Sequence, residues 1–117
     1  MTVFLTGATG VLGRRLVTDL VGRGHELYGL CRDEAGERLV AVRGGIPRRG
    51  DVLEPASLSG AMPPAETLIH AATAIPTATR PRRGDWELNN RVREQGLTNL
   101  IAADDGHLER VVFPSIV

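Results

Sequence analysis

Three glycines spaced three apart, Gly7, Gly10 and Gly13, follow an apolar segment (2–6) and lead into a stretch with helical spacing (11–22). Glycine at these points allows a tight turn after a strand, room for a ligand at the backbone, and close packing of the next helix. The N–H groups of the first helical turn lack partners inside the helix and attract an anion. The spacing therefore predicts a cradle for the diphosphate of a dinucleotide. The alternative is an ordinary glycine-rich connection between a strand and a helix.

The turn Thr6-Gly7-Ala8-Thr9-Gly10-x-x-Gly13 resembles the T-G-A-T-G-x-x-G turn of the extended and atypical short-chain dehydrogenase/reductase superfamily, which includes the NAD(P)-dependent epimerase/dehydratase family. The resemblance implies an α/β, Rossmann-like fold: a doubly wound parallel sheet of about five strands in the order 3-2-1-4-5. It also implies an NAD(P) cofactor. The residues of this turn that we expect to contact the cofactor are Gly7, Thr9, Gly10, Val11, Leu12 and Gly13.

The composition limits the class of protein. A chain of 117 residues is one domain at most, and 42% hydrophobic with 24% charged residues is typical of a soluble globular protein. The formal net charge is zero, which gives no reason to expect nucleic acid or a membrane surface as a partner. One cysteine, Cys31, excludes an internal disulfide, and no metal site is predicted. Without a signal segment or an apolar span, we expect a cytoplasmic protein.

Strand and helix patterns alternate along the chain, which predicts a parallel sheet with right-handed crossovers. Strands are expected at 2–6, 25–31, about 47–50, 67–72 and from 110, and helices at 11–22, 34–43, from 54 and at 85–103. Apolar stripes are predicted on the first helix at Leu12, Leu16, Val17, Leu20 and Val21, and on the last at Leu88, Val92, Leu100 and Ile101.

Arg32 follows the second predicted strand about twenty residues after the glycine turn, where the residue that contacts the adenine ribose usually lies. An acidic side chain there accepts from the 2′-hydroxyl, whereas arginine can hold a 2′-phosphate. Leu30-Cys31-Arg32-Asp33 resembles the L-x-R-D junction of atypical family members, and Arg14 and Arg15 add positive charge nearby. We therefore predict NADP(H) in preference to NAD(H). Alternatively, Arg32 is a solvated residue and Asp33 caps the next helix.

Two further segments resemble cofactor-contacting motifs. Gly50-Asp51-Val52 resembles the family's G-D-[VL], which implies that the Asp51 side chain and the Val52 amide contact the adenine. Ala71-Ala72-Thr73 resembles the small-residue run that flanks the cofactor ribose. Alternatively, Asp51 is a turn residue and the alanines serve packing. His70, which precedes this run, is predicted to be a core histidine rather than a base or a ligand.

The last helix carries the longest resemblance. Residues 89–100, NNRVREQGLTNL, resemble the N-D-R-I-R-x-E-G-T-x-N-L segment of atypical epimerase-like members. Gly96 within a helix costs about 1 kcal/mol, so close packing on the sheet is its expected reason. Three arginines before this helix, Arg80, Arg82 and Arg83, could face a substrate phosphate or carboxylate, or could simply be solvated.

Residues 110–117 resemble the fifth strand of the family, and Ser115 stands where the resemblance implies the catalytic serine or threonine. In the family a Tyr-x-x-x-Lys pair follows and handles the proton. This chain has no lysine and a single tyrosine, Tyr28, in the second strand. Residues 1–117 are therefore expected to be an incomplete NAD(P)-binding Rossmann domain that binds dinucleotide without efficient catalysis, the catalytic and substrate-binding part being absent.

Three functions remain open at this point. The first is the NADP(H)-binding part of an oxidoreductase or epimerase/dehydratase-like enzyme that transfers hydride at the nicotinamide and acts on an unknown small molecule. The second is a non-catalytic dinucleotide sensor or regulatory module, and the third is a remnant that binds nothing. The fifth strand is expected at a sheet edge, where it could pair with a second copy as a homodimer.

Overall fold

Strands and helices alternate through residues 1–74 and 82–114, the residues that the computed structural model describes. The elements are β1 (Thr2–Thr6), α1 (Val11–Gly22), β2 (Glu26–Cys31), α2 (Glu34–Val42), β3 (Ile46–Arg49), α3 (Pro55–Ala61), β4 (Thr67–His70), a 3-10 turn (Arg83–Trp86), α4 (Glu87–Ala103) and β5 (Arg110–Val112). Among these residues no helix has the length and apolar character needed to cross a membrane.

The strands form a single parallel sheet in the order β3-β2-β1-β4-β5, which confirms the predicted Rossmann-like order. Leu5 of β1 lies opposite Gly29 of β2 on one side and Ile69 of β4 on the other. After β3 the chain crosses back over the sheet to pair β4 with the free side of β1. The carboxyl ends of β1 and β4 therefore flank the point where the strand order reverses, where this class of fold opens a crevice.

The apolar core lies on both faces of the sheet, as expected for parallel strands covered on two sides. Phe4 of β1 packs toward α3 and α4, whereas its neighbours Val3 and Leu5 pack toward α1 and α2, and all three are fully buried. Burial of each such side chain stabilises the fold by about 1.5–3 kcal/mol. Because successive side chains of β1 point to opposite faces, this one strand packs against helices on both faces of the sheet.

The predicted apolar stripe of α4 is only half correct. Val92 and Leu100 are buried in the core, but Leu88 and Ile101 are each 50% exposed. The inward face of the helix is completed by small and polar residues instead, because backbone groups of the adjacent loops lie against it. Leu12 of α1 is likewise 51% exposed, since the apolar cluster beneath α1 is contacted by the later residues Leu16, Val17, Leu20 and Val21.

Two buried asparagines attach α4 to the loops that follow β3 and β4. The Asn99 side-chain amide donates to the Val52 carbonyl (2.8 Å), and the Asn89 side-chain oxygen accepts from the Ala74 N–H (2.9 Å). Gly96 lies between them, and a Cβ there would come within 2.9 Å of Val52 Cγ2. The close packing predicted for Gly96 is therefore present, and a polar helix face positions two loops.

The two edges of the sheet differ in chemistry. β3 contains Pro47, which lacks an N–H donor, and Arg49, whose guanidinium pairs with Glu37 of α2. β5 instead exposes Val111 and Val112, and within the part of the chain that the structure describes no strand pairs with its outer side. Pairing of this edge with a second copy stays a prediction.

Alanine at Gly13 is expected to destabilise the fold by about 3 kcal/mol or more, because the new Cβ would lie 1.8 Å from the Gly7 carbonyl oxygen. Alanine at Gly22, on the same helix, meets no atom within 4 Å and should be neutral or stabilising by up to about 1 kcal/mol. Urea unfolding of the two variants measures the difference. Equal stabilities would contradict the packing described here.

Candidate functional site

A cleft of about 210 Å³ opens at the carboxyl ends of the strands. Most of the residues predicted to contact a cofactor line it, namely Gly7, Thr9, Gly10, Arg32, Asp51, Val52, Ala71, Ala72 and Thr73. Val11, Leu12 and Gly13 do not. The lining is completed by residues that were not predicted to contact a cofactor, namely Thr6, Leu30, Cys31, Gly50, Leu53, Ala74, Leu88 and Val92.

The glycine turn forms the floor of this cleft. Gly7 has a φ of +72°, and a Cβ there would lie 2.6 Å from the carbonyl carbon and oxygen of Ala71. The turn is closed by a hydrogen bond from the Gly10 N–H to the Gly7 carbonyl (3.1 Å). Only glycine combines this backbone conformation with so close an approach to the segment after β4.

The N-terminus of α1 has no side-chain cap. Its N-cap residue is Gly10, and the first intrahelical bond runs from the Arg14 N–H to the Gly10 carbonyl (2.9 Å). The N–H groups of residues 11–13 precede that bond. Val11 and Leu12 are 74% and 51% exposed, and their apolar side chains have no hydrogen-bond donor. Any contact they make with an anion at the helix start is therefore through the backbone N–H.

Gly10 has a different requirement from its two neighbours in the motif. Its φ of −76° is open to any residue, and a Cβ would meet only the Gly7 carbonyl oxygen, at 3.5 Å. That distance is ordinary van der Waals contact. Nothing in the protein itself therefore demands glycine at this position, and the space beside it belongs to the cleft.

Arg32 directly follows β2, is exposed and lines the cleft. The next residue, Asp33, caps α2 by accepting the Gly36 N–H (2.8 Å), as one alternative predicted. This cap does not conflict with a ligand role for Arg32. Arg14 and Arg15 do not line the cleft, and the Arg14 Nε donates instead to the Gly10 carbonyl (3.3 Å).

Acidic side chains of α2 near Arg32 have cationic partners. Glu37 pairs with Arg49 of β3, and Glu34 pairs with Arg38 one turn along the helix (3.6 Å). Such exposed pairs contribute little to stability. They do offset the negative charge beside the end of β2, where an anionic ligand group would lie.

Asp51 supports the loop that forms one wall of the cleft. Its Oδ1 accepts the Leu53 N–H (2.9 Å), and its own N–H donates to the Ser57 hydroxyl (2.9 Å). The predicted turn role is therefore present, and the residue lines the cleft as well. Val52 is 6% exposed, with its side chain packed beside Gly96.

His70 is a core histidine, as predicted, and is 1% exposed. Its Nε2 lies 2.9 Å and 3.2 Å from the carbonyl oxygens of Val92 and Arg93, and its Nδ1 lies 2.6 Å from the Thr6 hydroxyl. Because a carbonyl can only accept, Nε2 carries the proton and Nδ1 accepts. Burial lowers the pKa of His70, the nearby Arg93 charge adds to this, and the two carbonyl contacts oppose it.

Among the described residues, Arg82 and Tyr28 were also named from the sequence and do not line the cleft. Ser115 and Arg80 lie outside the described residues, and Arg82 is exposed. The Tyr28 hydroxyl donates to Glu26 (2.6 Å), and Tyr28 does not line the cleft.

Cys31, which occupies the variable position of the L-x-R-D motif and was not predicted to contact a cofactor, lines the cleft as the last residue of β2. It is 2% exposed, and burial raises the pKa of its thiol. Its place at the carboxyl end of a parallel strand is the signal that could have identified it.

Stability should fall on acidification because His70 is neutral in the folded state. A buried histidine with a lowered pKa contributes stability fully above its unfolded pKa of about 6.5, and the contribution is lost as the pH falls toward the folded value. Urea unfolding between about pH 7.5 and pH 5.5 should show this slope, and His70→Gln should flatten it. His107→Gln, at an exposed site, is the matched control; equal slopes in all three proteins would contradict the assignment.

Curated relatives match nearly the whole chain. A Stigmatella aurantiaca 4-hydroxy-2-methyl-3-oxo-4-farnesyl-3,4-dihydroquinoline-1-oxide ketoreductase is 32% identical over 98% of this chain and 33% of its own length. Cinnamoyl-CoA reductase 1 of Oryza sativa subsp. japonica is 35% identical over 97% and 33%. Photosystem II assembly factor Ycf39 of Synechocystis sp. is 31% identical over 100% and 34%. The chain thus spans about a third of the length of these relatives.

Solved structures share the fold. The UDP-glucose 4-epimerase of Thermus thermophilus, in complex with NAD, has a TM-score of 0.70 and 27% identity over 88% of this chain and 33% of that one. AtPrR2 with NADP+ and (+)pinoresinol has a TM-score of 0.68 over 94% and 35%, and at 24% identity its likeness is one of fold. The model of the NAD-dependent epimerase/dehydratase family matches residues 3–115. The glycine turn, the sheet order and this match together place the chain in the NAD-dependent epimerase/dehydratase family.

Proposed function

We propose that this chain binds NADP(H) in the cleft and is the cofactor-binding part of an oxidoreductase that reduces or forms a carbonyl group. The observation that carries the proposal is the occurrence, in one cleft, of an uncapped helix start and an exposed arginine. The first suits a diphosphate and the second a 2′-phosphate. When bound, the nicotinamide supplies or accepts a hydride.

The residues present fit such a cofactor. The N–H groups of residues 11–13 suit the diphosphate, and the open space beside Gly10 lets it reach the backbone. The small residues 71–73 leave room for a ribose along the end of β4. Asp51 and Val52 line the wall where the resemblance implies the adenine, although Asp51 Oδ1 is already engaged in its own loop.

The preference for NADP(H) rests on Arg32. Solved neighbours include two complexes with NAD and one with NADP+, so the fold by itself serves both cofactors. A guanidinium can hold a phosphate through two parallel hydrogen bonds, whereas NAD(H) offers only a hydroxyl at that point. The ion pairs of Glu34 and Glu37 with neighbouring arginines reduce repulsion of the 2′-phosphate.

Reduction of a carbonyl is favoured over epimerisation by the relatives' descriptions, which include a ketoreductase and a reductase of a coenzyme A thioester. In the reduction of a ketone a hydride goes to the carbonyl carbon and a proton goes to its oxygen. We assign Ser115 to orienting that oxygen. The Tyr-x-x-x-Lys pair that the resemblance implies as the proton donor is not matched in these 117 residues, since Tyr28 is the single tyrosine, it donates to Glu26, and the chain has no lysine. The substrate-binding part and the proton donor are proposed to belong to further sequence.

A second candidate, a non-catalytic dinucleotide-binding module, is favoured by one observation. The relative that is 31% identical over the whole chain is described as an assembly factor for photosystem II, which is not the description of a reductase. Both candidates require the same cleft to bind dinucleotide. An assay of a protein with the full family length for oxidation of NADPH by ketones distinguishes the two candidate functions. Turnover favours the enzyme, and tight binding without turnover favours the non-catalytic module.

Gly10→Ala should weaken binding of either dinucleotide by at least about tenfold, because its methyl group would occupy the space through which the diphosphate reaches the backbone. The free energy of unfolding should change by less than about 1 kcal/mol, since the position is open in the protein alone. Calorimetric titration and urea unfolding of the same preparation check both. Unchanged affinity would exclude the turn as the diphosphate site.

Arg32→Ala should weaken NADPH binding by about 10- to 100-fold, the loss expected for hydrogen bonds to a phosphate, and should change NADH binding less than about twofold. Arg23→Ala is the matched control, because Arg23 is an exposed arginine at the opposite end of α1. Competitive titration of NADPH against NADH measures the ratio. A chain that binds NADH more tightly than NADPH would refute the preference.

A further inference from the structure

A line of hydrogen bonds crosses the core from α4 to the floor of the cleft through two buried side chains, His70 and Thr6. The His70 Nε2–H donates to the carbonyl oxygens of Val92 (2.9 Å) and Arg93 (3.2 Å). The Thr6 hydroxyl donates to His70 Nδ1 (2.6 Å), and its oxygen accepts the Ala72 N–H (3.2 Å). Thr6 and Ala72 both line the cleft, so the line ends at the binding surface.

Chemistry fixes the direction of every bond in this line. Carbonyl oxygens only accept, so the single proton of the neutral imidazole is on Nε2. Nδ1 is then an acceptor and draws the Thr6 hydroxyl proton toward itself. The Thr6 oxygen therefore keeps its lone pairs for the Ala72 N–H. With His70 1% and Thr6 0% exposed, solvent does not replace either partner.

Thr6 holds the segment after β4 at two points. Its backbone carbonyl accepts the Ala71 N–H (3.3 Å), and its hydroxyl oxygen accepts the Ala72 N–H. The next residue, Gly7, lies so close to Ala71 and Ala72 that a Cβ would come within 2.7 Å of their backbone atoms. The hydroxyl bond thus sets how the glycine turn and the end of β4 meet in the floor of the cleft.

We propose that His70 is a positioning residue for cofactor binding, which orients the Thr6 hydroxyl so that Thr6 holds Ala72 against the glycine turn. The inference rests on the proposed function, because it concerns the affinity of the same cleft for dinucleotide. His70 itself does not line the cleft and acts through Thr6. Ala72 is thereby linked to the backbone of α4 as well as to β1.

Protonation of His70 would break this arrangement. Nδ1 and the Ala72 N–H would then both donate to the Thr6 oxygen, and the hydroxyl proton would lose its acceptor. The groups that face His70 are the Thr6 hydroxyl from β1, the Arg93 guanidinium from α4 and the Phe113 ring after β5, whose centroid is 5.6 Å from that of the imidazole. Arg93 is the charged group among them and opposes protonation. Acid should therefore weaken cofactor binding.

Thr6 offers a matched pair of variants that separates positioning from stability. Thr6→Ser keeps the hydroxyl, whereas Thr6→Val keeps the shape and removes it. Thr6→Ser should bind dinucleotide within about twofold of the unmodified chain, and Thr6→Val about tenfold more weakly, as expected for one buried hydrogen bond. Affinities are measured by calorimetric titration at a temperature where both variants are folded by circular dichroism.

The pH profile supplies a readout that a merely structural role would not move. NAD+ is the probe, because it has no 2′-phosphate that titrates near neutral pH. The pKa of His70 in the folded chain lies below its ordinary value, so the affinity of the unmodified chain should be flat above about pH 6.5 and fall as the pH goes from about 6.5 to about 5. The dependence should disappear in Thr6→Val. His70→Asn keeps an acceptor near the position of Nδ1 and should retain more affinity than His70→Gln, which extends toward α4.

Outcomes distinguish this inference from the proposed function. Equal affinities of the two Thr6 variants, or a flat pH profile in the unmodified chain, would overturn the inference while the cleft remained a dinucleotide site. Absence of binding by the unmodified chain to any dinucleotide would overturn the proposed function and this inference with it.

Discussion

Contact between bare backbones at the glycine turn is the constraint on which the rest of the structure depends. A Cβ on Gly13 would overlap the Gly7 carbonyl oxygen, and a Cβ on Gly7 would press on the Ala71 carbonyl. Because no side chain intervenes, the end of β1 is held between the start of α1 and the segment after β4. The same three backbones form the floor of the cleft. Packing and ligand access are therefore properties of one arrangement, with Gly10 alone released from the packing requirement.

The local parts of this arrangement could be predicted from the sequence. The glycine spacing, the helix after it and the alternation of strands with helices depend on neighbouring residues and were predicted correctly, whereas the sheet order was implied by the family resemblance. Arg32 was predicted at the cleft because it follows the second strand, and Ala71–Thr73 because the resemblance implies a ribose there. The carboxyl ends of parallel strands meet at one edge, and these residues do line the cleft.

Contacts between distant residues could not be predicted in the same way. The Thr6–His70 bond joins residues 64 apart, and the Asn99–Val52 bond joins residues 47 apart. The apolar periodicity of α4 misplaced Leu88 for the same reason, since its inward face is chosen by the backbone groups that asparagine side chains satisfy. Leu88 instead lines the cleft. Periodicity detects apolar stripes, whereas polar packing depends on which loop lies opposite.

The two edges of the sheet differ in how readily another strand could pair with them. The β3 edge pairs poorly with another strand, because Pro47 lacks a backbone N–H donor and Arg49 forms an ion pair with Glu37 beside it. The β5 edge pairs more readily, because Val111 and Val112 are exposed and no strand of the described residues bonds to its outer side. Any polypeptide that lengthens this sheet, from the same chain or from another, would thus pair with β5 and leave the β3 edge unchanged.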